Sequence, residues 1–171
     1  MTDQTPDVDP ARLVIRVASD DDAAAIANLL DAGRLGSEPA PTLPDQAISR
    51  LGPDASDETG HSGFWLGELD GLAVGIVGVH QTSRHRVEVR GLRVHPEYRR
   101  VGIGTRLMEH AILYCQRQGF LKVALDVRTE REPAIKLFEK CGFQLAGTRN
   151  GESSTHEVLD FYLDLYREPG I

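Results

Sequence analysis

The chain is poor in cysteine, and that already narrows the field. Its two cysteines, Cys115 and Cys141, each fall inside a helical pattern. A small disulfide-stapled scaffold is excluded, and a reducing, cytoplasmic setting is expected. No apolar run approaches the roughly 18 residues that a membrane span needs, so no membrane partner is expected. The first ten residues are polar and acidic and do not read as a secretory leader. Residues 1–11 are expected to form a disordered tail. The six histidines (His61, His80, His85, His95, His110, His156) show no zinc-like spacing, so no metal is expected. The cysteines read as packing residues, because a nucleophilic thiol needs an exposed, electropositive setting.

The chain also lacks the positive charge of a nucleic-acid binder: its net charge is −7. That charge is uneven. Seven arginines and two acids lie between Arg84 and Arg106, a net of +5, which leaves −12 for the remainder. An RNA module built on this block would need salt-dependent binding to be entertained. An anion site is the stronger reading, because the block coincides with two closely spaced glycines.

The 171 residues are enough for one domain with a real core, and residues 12–171 read as that domain. Alternating apolar residues predict a strand over 12–18. Ser19 and the aspartates after it predict a helix start, with the helix running to about Asp31. Residues 34–63 hold four prolines. A short helix is a candidate over 45–51, and a mobile loop over 52–63. Strands over 64–69 and 73–79 flank Asp70-Gly71, a hairpin signal. A further strand covers 87–94. A helix follows over 103–118, with Ile103, Leu107, Ala111, Tyr114 and Cys115 on one face and Gly119 as its stop. Residues 121–127 read as a buried strand, 134–141 as a helix, and 143–147 and 158–165 as strands. Phe64 and Trp65 read as core.

Residues 92–107 carry the chemistry: Leu92-Arg93-Val94-His95-Pro96-Glu97-Tyr98-Arg99-Arg100-Val101-Gly102-Ile103-Gly104-Thr105-Arg106-Leu107. A strand stops at a proline, two arginines and two glycines follow, and a helix begins. A helix start offers unpaired N–H groups and partial positive charge, a seat for phosphate. A dinucleotide-binding loop fails on spacing. Seven residues separate Val94 from Gly102, and no third glycine or alanine follows at position 107. The pattern Arg99-x-x-Gly102-x-Gly104, with its Val-x-Pro-x-Tyr-Arg approach, resembles the pyrophosphate loop of the GNAT superfamily of acyl-CoA-dependent N-acyltransferases. Residues 134–143, Ala-Ile-Lys-Leu-Phe-Glu-Lys-Cys-Gly-Phe, are similar to the tail helix of that family.

The resemblance implies the GNAT fold: α/β (α+β), a mixed, mostly antiparallel sheet with helices on both faces. It implies acetyl-CoA as co-substrate. The backbone of Val101, Gly102, Ile103, Gly104 and Thr105 would bind its pyrophosphate, and Arg99 and Arg100 would add charge. Leu92, Arg93 and Val94 would pair with the pantetheine arm where their strand splays from its neighbour. Glu88 becomes the candidate base, since an alkyl ammonium must lose a proton before it attacks a thioester. Its plainer reading is a strand glutamate paired with Arg86 or Arg90. Two departures stand out. Arg131 occupies the place of an asparagine cap that touches CoA. Phe138 occupies the place of a tyrosine that protonates the departing thiolate. The expected activity is direct transfer of an acetyl group to a primary amine. The alternative is a non-catalytic acyl-CoA sensor or interaction module. The acceptor is expected to be a small or protein amine, and a cationic one. That expectation rests on the acidic remainder of the chain, including Glu38, Asp45, Asp54, Asp57, Glu58 and Glu152. A homodimer is allowed by these readings.

Overall fold

A computed structural model describes residues 9–32, 63–99, 101–150 and 157–165. The candidate helix over 45–51 and the expected loop over 52–63 lie outside the described residues, apart from Gly63. Gly63 is buried and already belongs to a strand.

The elements follow the hydrophobic periods of the sequence. A 3₁₀ turn at Pro10–Arg12 leads into β1 (Val14–Val17), and α1 (Ala23–Ala32) follows. Strands β2 (Gly63–Leu69) and β3 (Leu72–Gln81) meet at Asp70 and Gly71, whose φ angles are 49° and 81°. Two left-handed residues in succession make the tight turn whose twist suits a hairpin, and the Asp-Gly pair supplies them. Next come β4 (Arg86–Val94), α2 (Ile103–Arg117), β5 (Lys122–Arg128), α3 (Glu132–Lys140), β6 (Gln144–Asn150) and β7 (Glu157–Asp164). The helix α2 stops where Gly119 adopts φ 83°, as its position predicts.

The seven strands form one sheet in the order β1-β2-β3-β4-β5-β7-β6. Every neighbouring pair is antiparallel except β4 and β5. On one face Ile26 and Leu29 of α1 pack against Leu66 and Ile76. On the other, α2 buries Ile103, Leu107, Met108, Ala111 and Cys115 against Val74, Val77, Val87 and Val123. Full burial of a side chain such as Leu107 or Met108 contributes about 1.5–3 kcal/mol. Tyr114, expected in that face, is half-buried. Its ring stands edge-on to the buried Trp65, 4.8 Å between centroids. Burial pushes the Cys115 thiol up to about 12, which fits a packing role.

Arg16 ties the start of the chain to the sheet. It donates to Asp22 Oδ1 at 2.7 Å and to Glu68 Oε1 at 2.7 Å. The Arg16 guanidinium holds the Asp22 carboxyl down at about 2.

Candidate functional site

Two strands that run side by side and then part create the site. The parallel ladder between β4 and β5 holds three pairs: Arg86 with Lys122, Val87 with Val123, and Glu88 with Ala124. Beyond Glu88, β5 continues against β7 while β4 stays only with β3. Glu88 therefore stands at the vertex of a fork whose open end lies toward Val94.

A bulge shapes the β4 arm of that fork. Ile76 of β3 pairs with Arg93 and Gly78 with Arg90, so one β3 residue opposes two on β4. Gly91 occupies the bulge at φ 66°. Residues opposite each other in an antiparallel pair share a face. Before the bulge, Val87 and Val89 enter the α2-side core. After it, Leu92 and Val94 do so. The inserted residue resets the alternation. Glu88, Arg90 and Arg93 consequently share the α1 side of the sheet, opposite His80, Gly78 and Ile76. The sequence carried a signal for this, a glycine inside a strand pattern, which often marks a bulge.

At the open end, the chain turns through Pro96–Tyr98 and reaches Gly102, which caps α2 at φ 87°, ψ 10° with no side-chain cap bond. The first helical bond recorded at this end runs from the Arg106 N–H to the Gly102 carbonyl. The N–H groups of Ile103, Gly104 and Thr105 thus point out along the helix axis toward the mouth of the fork. The two glycines do different work. A Cβ on Gly102 would meet nothing within 4 Å, so its left-handed backbone is what calls for glycine. A Cβ on Gly104 would lie 2.8 Å from Leu137 Cδ1 of α3 and 3.5 Å from Val94 Cγ2. Gly104 lets α2, α3 and the end of β4 close together.

The remaining site residues are placed as follows. Arg99 is exposed, and its Nε donates to the Val94 carbonyl at 3.3 Å, which fastens the loop to the strand end. Arg100 lies outside the described residues. Val101 is half-buried against the main core. Arg93 donates to the Leu92 carbonyl at 2.8 Å. Arg131 is the residue at the start of α3 and makes no side-chain cap bond to it. Phe138 is buried, its ring 6.0 Å from that of Phe143 and 6.3 Å from that of Phe161. It is packed as a core residue. Glu88 is part-exposed, and its Oε1 accepts from Arg90 Nε at 3.3 Å. Of the acidic remainder behind the expectation of a cationic acceptor, Glu38, Asp45, Asp54, Asp57, Glu58 and Glu152 lie outside the described residues.

Among the described residues, no three histidine, cysteine or acidic side chains gather where they could hold a metal ion. No helix among them is long and apolar enough to cross a membrane. The N–H groups of a helix start at one end of an open seam, and a carboxylate at the other, have the chemistry to meet an extended phosphorylated arm and to accept a proton at its tip.

Known proteins share this fold. A profile of the acetyltransferase (GNAT) family matches residues 23–143. N-acetyltransferase family 8 member 3 of Rattus norvegicus is 34% identical over 92 residues, 51% of this chain and 40% of that protein. The chain spans about half the length of the curated relatives it matches. Among solved structures, a GNAT-family acetyltransferase of Streptococcus pneumoniae superposes with a TM-score of 0.75 at 24% identity, covering 90% of this chain and 99% of that one. The yncA protein of Salmonella typhimurium, solved with its cofactor acetyl-CoA, gives 0.72 at 18% identity over 93% and 97%.

Proposed function

The chain belongs to the acetyltransferase (GNAT) family, and from that premise we propose that it transfers an acetyl group from acetyl-CoA to a primary amine by direct attack. One observation carries the reading. The fork between β4 and β5 joins the α2 N-terminus at its mouth to Glu88 at its vertex. From Val94 back to Glu88 is six residues, about 20 Å of strand. An extended pantetheine arm fits such a seam, with its phosphates at the helix start and its thioester near Glu88.

Each part then has a task. The N–H groups of Ile103, Gly104 and Thr105 bind the pyrophosphate, with Arg99 adding charge. The β4 backbone at Leu92–Val94 lines the arm. Holding amine and thioester together at the vertex removes much of the entropic part of the barrier. Glu88 takes the proton of the incoming ammonium, directly or through one water, and frees the lone pair that attacks the carbonyl carbon. A strand N–H stabilises the oxyanion. The C–S bond breaks as the C–N bond is completed. The departing thiolate takes its proton from water, because Phe138 has none to give. A thiol with pKa near 8.5 is an adequate leaving group for that route.

Glu88→Gln keeps the shape and removes the base. It should lower kcat/KM by roughly 10²-fold with acetyl-CoA affinity intact. Rates are read by thiol release over a panel of amines, and affinity by calorimetry. Acetyl-CoA binding with no turnover of any amine would favour a sensor. Normal rates in the variant would remove Glu88 from the mechanism.

A further inference from the structure

The charges that flank Glu88 define the acceptor more narrowly than the net charge of the chain does. Arg86, Glu88, Arg90 and Arg93 share the α1 side of β4, and Lys122, Asp126 and Arg128 share it on β5. The carboxylates across the seam already have cations. Arg149 bonds Asp126 at 2.6 Å and Asp160 at 3.1 Å, and Lys122 lies 3.7 Å from Asp164. Among the described residues, the cation in contact with Glu88 is Arg90, at 3.3 Å, and about half of its side chain is exposed.

An ammonium that approaches Glu88 must therefore displace or crowd Arg90. A simple amine takes the carboxylate, strips the guanidinium of its counter-charge and sets two cations side by side. An amine with a carboxylate on the same carbon exchanges partner for partner. Its ammonium faces Glu88 and its carboxylate faces Arg90, so no charge is left uncompensated. Contact charges outweigh distant ones here, because screening at physiological salt acts over about 8 Å. A guanidinium also suits a carboxylate better than an ammonium does, since its planar donors can bond both oxygens.

We propose that the acceptor is a zwitterionic α-amino acid, with its amino group at Glu88 and its carboxylate on Arg90. The proposal rests on the acetyltransferase reading above. The reaction is the same transfer: the N–C bond forms, the thioester C–S bond breaks, and the ammonium proton leaves by way of Glu88.

The test uses acetyl-CoA and matched acceptors: glycine, leucine, phenylalanine, lysine and glutamate, their amides, phenethylamine and spermidine. Each is assayed by thiol release with the native chain, Arg90→Gln and Arg90→Lys. Amino acids should exceed their amides in kcat/KM by about tenfold or more. Arg90→Gln should erase that ratio by raising KM for the amino acids alone, and Arg90→Lys should restore part of it. The proposal is overturned if amides, phenethylamine or spermidine react as well as the amino acids. It is also overturned if Arg90→Gln slows every acceptor alike, which would make Arg90 only a positioning residue for Glu88. The Glu88→Gln assay fails or succeeds separately. A slow Glu88→Gln variant, together with a native chain that gives amino acids no advantage, refutes the amino-acid acceptor and leaves the acetyltransferase standing.

Discussion

The two halves of β4 differ although they form one strand. From Arg86 to Glu88 it is paired on both sides, and Val87 and Val89 are buried at 0% and 6% exposure. From Gly91 to Val94 it is paired only with β3, and every residue is half-buried. The first half spends both backbone edges, and the Val87 side chain, on the fold. The second keeps one backbone edge outside the β5 ladder. In this fold a segment paired on both edges and a segment with one edge left out of the β5 ladder sit a few residues apart on a single strand, and Gly91 is the joint between them.

Removing the joint should have the largest effect. Gly91→Val forbids φ 66° and sets a Cβ 3.2 Å from Phe64 Cε1. The bulge must shift, which would turn Arg93 toward the α2-side core. A loss on the order of 2–3 kcal/mol is expected in denaturant melts, with acetyl-CoA affinity falling more than about tenfold by calorimetry. A variant with native stability and affinity would show that the bulge is incidental.

The two loop glycines sharpen the same contrast on a smaller scale. Gly102→Ala meets no neighbour and suffers only from its left-handed φ, a cost of about 1 kcal/mol. It also disturbs the first N–H groups of α2, so acetyl-CoA should bind roughly tenfold more weakly. Gly104→Ala presses on Leu137 Cδ1, the movable tip of a side chain. Its effect should appear mainly in stability, at about 1 kcal/mol or less. Equal binding losses in the two variants would contradict the division of labour between the glycines.

The smallest effect lies away from the fork, where α2 packs on β2. His110 of α2 stands edge-on to Trp65, 5.3 Å between centroids. Burial, with a smaller contribution from Arg117, lowers its pKa below 6.5. A folded value below the unfolded one means that the unfolded chain takes up the proton first. Stability should therefore hold above pH 6.5 and decline as pH falls through the window below it. Thermal melts of His110→Gln should lose that decline while leaving acetyl-CoA binding unchanged.

Much of this was legible in the chain. The helix expected over 103–118 is observed at Ile103–Arg117, and the Asp-Gly turn and Gly119 stop fall where their chemistry requires. The glycine turn into α2 was legible because its signal is local: glycines, arginines and a helix start within ten residues. The helix expected over 134–141 begins two residues earlier, at Glu132, since Pro133 fits the first turn of a helix. Phe138 is harder to read. Its place in the motif says tyrosine substitute, and only the fold brings Phe143 and Phe161 to its ring. The ion pairs from Arg16 to Glu68 and from Arg149 to Asp126 and Asp160 join distant segments, so no spacing announces them.

By itself the sequence determined the elements and the family resemblance, and it placed a left-handed glycine at the start of α2, because hydrophobic period, turn residues and helix capping act over a few neighbouring residues. Only the tertiary structure decided that β7 inserts between β5 and β6, that β4 leaves β5 after three pairs, and that Glu88 stands at the vertex of the fork; its pairing with Arg90, two residues along one strand, was already one of the two partners read from the sequence. Those facts depend on which strands meet, and strand pairing is settled by the packing of surfaces contributed from the whole chain. The charge that matters at the site is likewise the charge brought into contact, which a net of −7 does not contain.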